Sequence, residues 1–257
     1  MLVVGAGNGI GAETALLLAH AGADVAAADV DADRARAVAA QIVELGRRGV
    51  ALSGDVTAER DAVRLVDETD AALGGIDAVV NIVGLAAWTD LLSIDDETWH
   101  LDIARNLTQH LYVGRAAAKA MIARGTGGSI AVVASVSGIY ASPHHGAYGA
   151  AKAGLIDLVR TMAQEWGPHG IRVNAVAPDV IATPRVKAQL ETAGVNFDQQ
   201  ATSDGVPLCR AGLPDEVAGP LVFLVSDLAS FVNGQTIIVD GGQRAAFPHF
   251  KTAAAMK

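Results

Sequence analysis

Short runs rich in Val, Ile and Ala alternate along this chain with longer segments in which apolar residues recur at helical spacing. That alternation is the pattern of repeated βαβ units, because parallel neighbours need a crossover and a helix is its usual form. Seven runs read as strands, at residues 2–4, 24–29, 50–55, 77–81, 129–135, 171–177 and 235–240. Several are continuously apolar, as strands covered by helices on both faces should be. The fold expected is α/β: one doubly wound domain over residues 1–257, with an approximately seven-stranded parallel sheet. The stretch 183–212 breaks the alternation, since it lacks a strand and scatters Leu190, Val195, Phe197 and Leu208 among polar residues. A long excursion after a strand's carboxyl end reads as a lid over a ligand site.

The first strand runs directly into Gly5-Ala6-Gly7-Asn8-Gly9-Ile10-Gly11, followed by a helical stretch. A strand, a glycine-rich turn and a helix start aim backbone N–H groups and a positive helix end at an anion. Gly5, Gly9 and Gly11 fit the spacing G-x-x-x-G-x-G, with Asn8 and Ile10 between them. The second strand ends in Asp29, 18 residues beyond Gly11, where a carboxylate accepts hydrogen bonds from a ribose hydroxyl. A 2′-phosphate there would meet like charge, and positions 8 and 30 hold Asn and Val, not a cation. The expected cofactor is therefore NAD, not NADP. Asp55, followed by Val56, ends the third expected strand and is placed either to meet the adenine or to cap the next helix.

With 19 Lys+Arg against 28 Asp+Glu, the formal charge is −9, and no Lys/Arg-rich run is present. Nucleic acid is an unfavourable partner for such a chain. The single cysteine, Cys209, forms no intramolecular disulfide, so a reducing cytoplasm is the expected location. Neither a signal peptide nor a membrane span is read from the N-terminus. The adjacent His144 and His145 have no third ligand at metal spacing, so no metal is expected.

Tyr148 and Lys152 stand four apart in a helical segment, which puts both on one face. A free tyrosine ionises near pH 10, and moving it to about 7 takes roughly 4 kcal/mol of preferential phenolate stabilisation. A neighbouring ammonium and a nicotinamide cation are the expected sources. Ser135 ends the strand before them, where its hydroxyl can bind a substrate oxygen, and Asn106 adds a polar group after the fourth strand.

This set, in this order, resembles the short-chain dehydrogenase/reductase family, in its shorter branch with the G-x-x-x-G-x-G turn. Further support comes from Asn81 to Gly84, Pro178 with Thr183, and the Asp240-Gly241-Gly242 ending. The resemblance implies a Rossmann-type fold and a dehydrogenase that interconverts a small-molecule secondary alcohol and a ketone. It implies that Tyr148 is the general acid/base and that Ser135 orients the carbonyl. Lys152 would bind the nicotinamide ribose and lower the Tyr148 pKa, and Asn106 would hold a water leading to solvent. Asn81, Gly84, Pro178, Ile181 and Thr183 would complete the cofactor site. A homotetramer is implied as well, through the helices of 95–124 and 147–166.

The chain departs from the family pattern at Val4, where Thr is usual, at Ile82 and Val83, where Asn and Ala are usual, and at Asp179, where Gly is usual. Packing by Ile82 and Val83 is the expected compensation. Trp88, Tyr140 and His144 are expected to line the substrate pocket with the lid, whereas Trp99 and Trp166 read as packing residues. Two other readings compete: a dinucleotide sensor without turnover, and an NADP-dependent ketone or 3-oxoacyl reductase. An intact acid/base set argues against the sensor.

Overall fold

The computed structural model describes residues 1–192 and 206–245. It contains one parallel sheet of seven strands in the order β3-β2-β1-β4-β5-β6-β7. The strands are β1 (Leu2–Val4), β2 (Val25–Asp29), β3 (Gly49–Ser53), β4 (Ala78–Asn81), β5 (Gly128–Val133), β6 (Ile171–Pro178) and β7 (Thr236–Val239). The helices are α1 (Gly9–His20), α2 (Ala32–Glu44), α3 (Glu59–Leu73), α4 (Asp96–Ile103), α5 (Gln109–Arg124), α6 (Gly146–Trp166), α7 (Pro184–Thr192) and α8 (Pro214–Val225).

Successive side chains of a strand point to opposite faces, so each buried strand supplies two cores. Leu2, Val4 and Val79 join Leu65 of α3, Met121 of α5 and Leu155 of α6 on one face. Val3, Ala78 and Val80 join Leu18 of α1, Ile42 of α2 and Leu221 of α8 on the other. The expected doubly wound architecture is therefore the observed one. The strand order reverses between β1 and β4, and the crevice beyond their carboxyl ends is where such folds bind ligands.

Two expected strand ends are too long. β3 stops at Ser53, which leaves Asp55 in the following turn, and β5 stops at Val133, which leaves Ser135 to cap a short 3-10 turn, Val136–Gly138. In both places a side-chain oxygen takes a backbone amide two residues on, a local bond that competes with the ladder. The helical run 96–124 is not uniform either, because a π-helical turn, Ala104–Thr108, separates α4 from α5. Of the expected lid, 184–192 is helix α7, while 193–205, including Val195 and Phe197, lie outside the described residues.

Candidate active site

The glycine turn is built from conformations and approaches that a side chain would forbid. Gly5 has φ +82°, and a Cβ on Gly11 would lie 1.9 Å from the Gly5 carbonyl oxygen. A Cβ on Gly7 would stand 2.7 Å from the Asp29 carboxyl group. Without one, the Gly7 amide donates to Asp29 Oδ2 at 2.9 Å, while the Asp31 amide donates to Oδ1 at 3.0 Å. These bonds fix the carboxylate beside the start of α1, where Asn8 is the N-cap. Ile10 lies in the first turn of that helix and packs on the second core.

Thr183 closes the turn from the other side, with its methyl 3.2 Å from where a Gly9 Cβ would be and its hydroxyl accepting the Val186 amide. A cleft of about 540 Å³ opens here, lined by Asn8, Arg34, Pro184, Arg185, Ala188 and Thr192. Bare backbone at a helix start, a fixed carboxylate and an adjoining cleft fit a dinucleotide.

Other expected contacts are arranged differently. The Asp55 carboxylate accepts from the Thr57 amide and hydroxyl, so it caps its own turn, and Val56 is buried in the first core. Pro178 ends β6, and Ile181 is buried beyond it, with the Asp179 amide tied to the Val239 carbonyl. Val83 fills the place beside Gly5, 3.1 Å from its hypothetical Cβ, and Ile82 packs on the second core, which is the compensation expected for the changed segment.

The candidate catalytic residues are brought together from the end of β5, the π turn and α6. Lys152 is 1% exposed and donates to the Val133 carbonyl at 2.7 Å, and its Nζ sits 5.7 Å from the centre of the Tyr148 ring. Gly84 makes room for it, since a Cβ there would lie 3.0 Å from Lys152 Nζ and 2.9 Å from Asn106 Oδ1. Asn106 is completely buried; its amide bonds both the Leu85 carbonyl and the Asp102 carbonyl, and its oxygen accepts from the Leu85 amide. The Ser135 hydroxyl accepts from the Ser137 amide at 3.1 Å and lies near enough to the Tyr148 phenol to influence its ionisation.

Electrostatics in the chain alone run opposite to the expected activation of the tyrosine. Burial raises the Tyr148 phenol above its ordinary value, with a smaller rise from Asp102, while the Ser135 bond pulls it down. Desolvation also lowers Lys152 to about 7, so at neutral pH its amine carries only part of the positive charge expected of it. The physical reason is that removing both groups from water disfavours each charged form before any cationic ligand is present.

His145 lies between Tyr148 and Trp88, with ring centres 5.2 Å and 4.4 Å away, and its Nδ1 is 3.0 Å from Ser137 Oγ. His144 adopts φ +63°, and Tyr140 is covered by the Arg244 guanidinium at 4.6 Å.

A family model described as enoyl-(acyl carrier protein) reductase matches residues 5–244. The chain is 35% identical over 244 residues to 2-dehydro-3-deoxy-D-gluconate 5-dehydrogenase of Escherichia coli (strain K12), covering 94% of this chain and 93% of that protein. It is 35% identical over 246 residues to an L-rhamnose 1-dehydrogenase (NAD(P)(+)) of Azotobacter vinelandii (strain DJ / ATCC BAA-1303), covering 94% and 95%. The crystal structure of levodione reductase superposes with a TM-score of 0.90 at 32% identity, covering 96% of this chain and 97% of that one. The chain belongs to the short-chain dehydrogenase/reductase family.

As a short-chain dehydrogenase/reductase it is an oxidoreductase that uses a nicotinamide cofactor. No described helix is long and apolar enough to cross a membrane, and no described cluster of His, Cys, Asp or Glu is arranged to hold a metal.

Several polar residues of the site were not singled out in the sequence. Gln109 accepts from Asn81 Nδ2 at 2.8 Å and donates to the Val83 carbonyl, tying down the segment whose family pattern is altered. Asp102 and His110 stand one turn either side of Asn106 and are both buried. Arg34 and Arg185 reach the cofactor cleft from α2 and α7. The signal for Asp102, Asn106 and His110 is their spacing of four, visible in the sequence as a polar stripe through an otherwise buried helix face.

Proposed function

We propose that this protein is an NAD-dependent dehydrogenase that interconverts a secondary alcohol and a ketone, with Tyr148 as general acid/base. The observation that carries this reading is the buried Lys152 amine beside the Tyr148 ring, with Gly84 bare to admit it. A nicotinamide cofactor supplies the hydride acceptor or donor.

Ser135 holds the substrate oxygen next to the Tyr148 hydroxyl. For reduction, Tyr148 gives its proton to the developing alkoxide, and its raised pKa keeps that proton in place at neutral pH. For oxidation, Tyr148 takes the alcohol proton, a role favoured once cationic charge lies nearby. Lys152 binds ribose hydroxyls, and Asn106 positions the path by which protons reach Lys152. Positioned acid/base catalysis of this kind is worth about 10²- to 10⁴-fold.

The carboxylate of Asp29, held in place by two backbone amides, supports NAD by accepting from ribose hydroxyls and repelling a 2′-phosphate. A second reading, acceptance of NADP, is favoured by Arg34 and Arg185 in the same cleft. Arg34 is already paired with Asp31 at 3.2 Å, which weighs against it. A homotetramer is proposed in line with the sequence, supported by β7 at the sheet edge and by Leu228 and Phe231, both largely exposed nearby.

Titration with NADH and NADPH, followed by turnover of a secondary-alcohol panel with NAD, tests the reading. Tighter NADH binding with alcohol oxidation bears it out; NADPH preference or absence of turnover overturns it.

A further inference from the structure

The segment 85–89 is stitched down at alternate residues. Leu85 bonds Asn106 through both its amide and its carbonyl, at 3.0 and 2.8 Å. The Ala87 amide is shared by both oxygens of Asp102, at 3.2 and 3.1 Å, and the Thr89 amide donates to the His144 carbonyl at 3.1 Å. Asp102 and Asn106 lie one helical turn apart, so consecutive turns hold residues two apart in an extended loop. The residue between the last two anchors is Trp88, whose ring packs on His145, and His145 packs in turn on Tyr148.

Asp102 is 2% exposed and forms no ion pair among the described residues. A buried carboxylate with no cation in contact, and only the more distant Arg105 to offset its charge, is costly. We propose that Asp102 is a positioning residue of the active site, which latches Trp88 against His145 beside the catalytic tyrosine and acts on that tyrosine through its negative charge. The inference rests on the dehydrogenase reading.

The titratable groups around the pair are Arg105 on Asp102's own helical run, His110 two turns on, Tyr148 and Lys152 on α6, and His145 before it. Burial holds the Asp102 carboxyl above its ordinary value, opposed by the Ala87 amide and Arg105. Its anionic form disfavours a phenolate at Tyr148.

The test is the pH profile of kcat/KM for oxidation of the best alcohol of the panel with NAD, in wild type and in Asp102→Asn. Asparagine keeps an oxygen for the Ala87 amide and removes the charge. The midpoint of the profile should move towards acid by about half a pH unit or more. An unmoved midpoint overturns the electrostatic role, since a merely structural residue lowers the rate without moving it. Ala87→Pro deletes the amide proton and leaves the carboxylate. It should raise the alcohol KM by about threefold or more while NADH affinity holds, and an unchanged KM overturns the latch. This variant also decides the matter if Asp102→Asn does not fold. Turnover retained in Tyr148→Phe would instead contradict the dehydrogenase reading itself.

Discussion

Lys152 donates to the carbonyl of Val133 at 2.7 Å while lying entirely out of solvent, so the base of the candidate site holds an amine that no described carboxylate pairs with. Desolvation alone lowers its pKa, to about 7 from an ordinary 10.5. A depressed pKa on a cation means that the unfolded chain binds the proton more tightly. The resulting destabilisation is full below about pH 7 and is relieved as pH rises towards 10.5. Thermal unfolding of the cofactor-free protein should therefore show wild type gaining on Lys152→Met across that window. A difference between the two that does not vary with pH would contradict the assigned burial.

His110 is 1% exposed, and among the described residues neither ring nitrogen makes a well-formed hydrogen bond, the Val83 backbone offering only a weak contact. Desolvation first, and then the Lys152 charge, lower its pKa well below the ordinary 6.5. The imidazole is neutral in the fold and must gain a proton on unfolding in acid, so stability falls as pH drops through about 6.5. His110→Leu removes two orphaned polar atoms, each costing roughly 1 to 3 kcal/mol. Urea midpoints should show the variant at least as stable as wild type at pH 7 and pulling ahead as the pH falls to 5. Parallel loss in both proteins would remove His110 as the acid-sensitive group.

Asp29 accepts the Gly7 and Asp31 amides and so stands at a fixed place beside the glycine turn. Asp29→Ala should weaken NADH binding and improve NADPH binding relative to it by about tenfold, equivalent to 1.4 kcal/mol. Arg34→Ala in the same titration separates the two cofactor readings, because it should weaken NADPH alone if Arg34 meets the 2′-phosphate. Discrimination untouched by Asp29→Ala would contradict the proposed preference.

The sheet and its two helical layers were legible in the sequence because each depends on local periodicity, and the candidate catalytic residues because their order and spacing resemble the family's. Val3 and Val4 could be seen as a strand, and Tyr148 and Lys152 as one helix face, with no knowledge of distant parts. What was not legible depends on long-range register. Gln109 reaches Asn81 across 28 positions, and nothing near either residue marks the pair. The π turn at Ala104–Thr108 shifts the phase of the helix in a way a 3.6-residue period does not anticipate. Positions 8 and 30 are chain neighbours of the glycine turn and of Asp29, whereas Arg34 arrives from the first turn of α2 and Arg185 from α7. In the chain alone the fold desolvates Lys152 as well as the phenol, so of the two cationic charges expected to activate Tyr148 the lysine's is weakened by its own burial, which no local spacing reveals.

The central claim is that Tyr148 moves the proton while the rest of the chain binds and orients. Its most direct test is Tyr148→Phe, assayed for alcohol oxidation with NAD and titrated with NADH by cofactor fluorescence. The account predicts a fall in kcat/KM of about 10² to 10⁴ or more with NADH affinity within about threefold of wild type. Turnover retained at the wild-type level would contradict it.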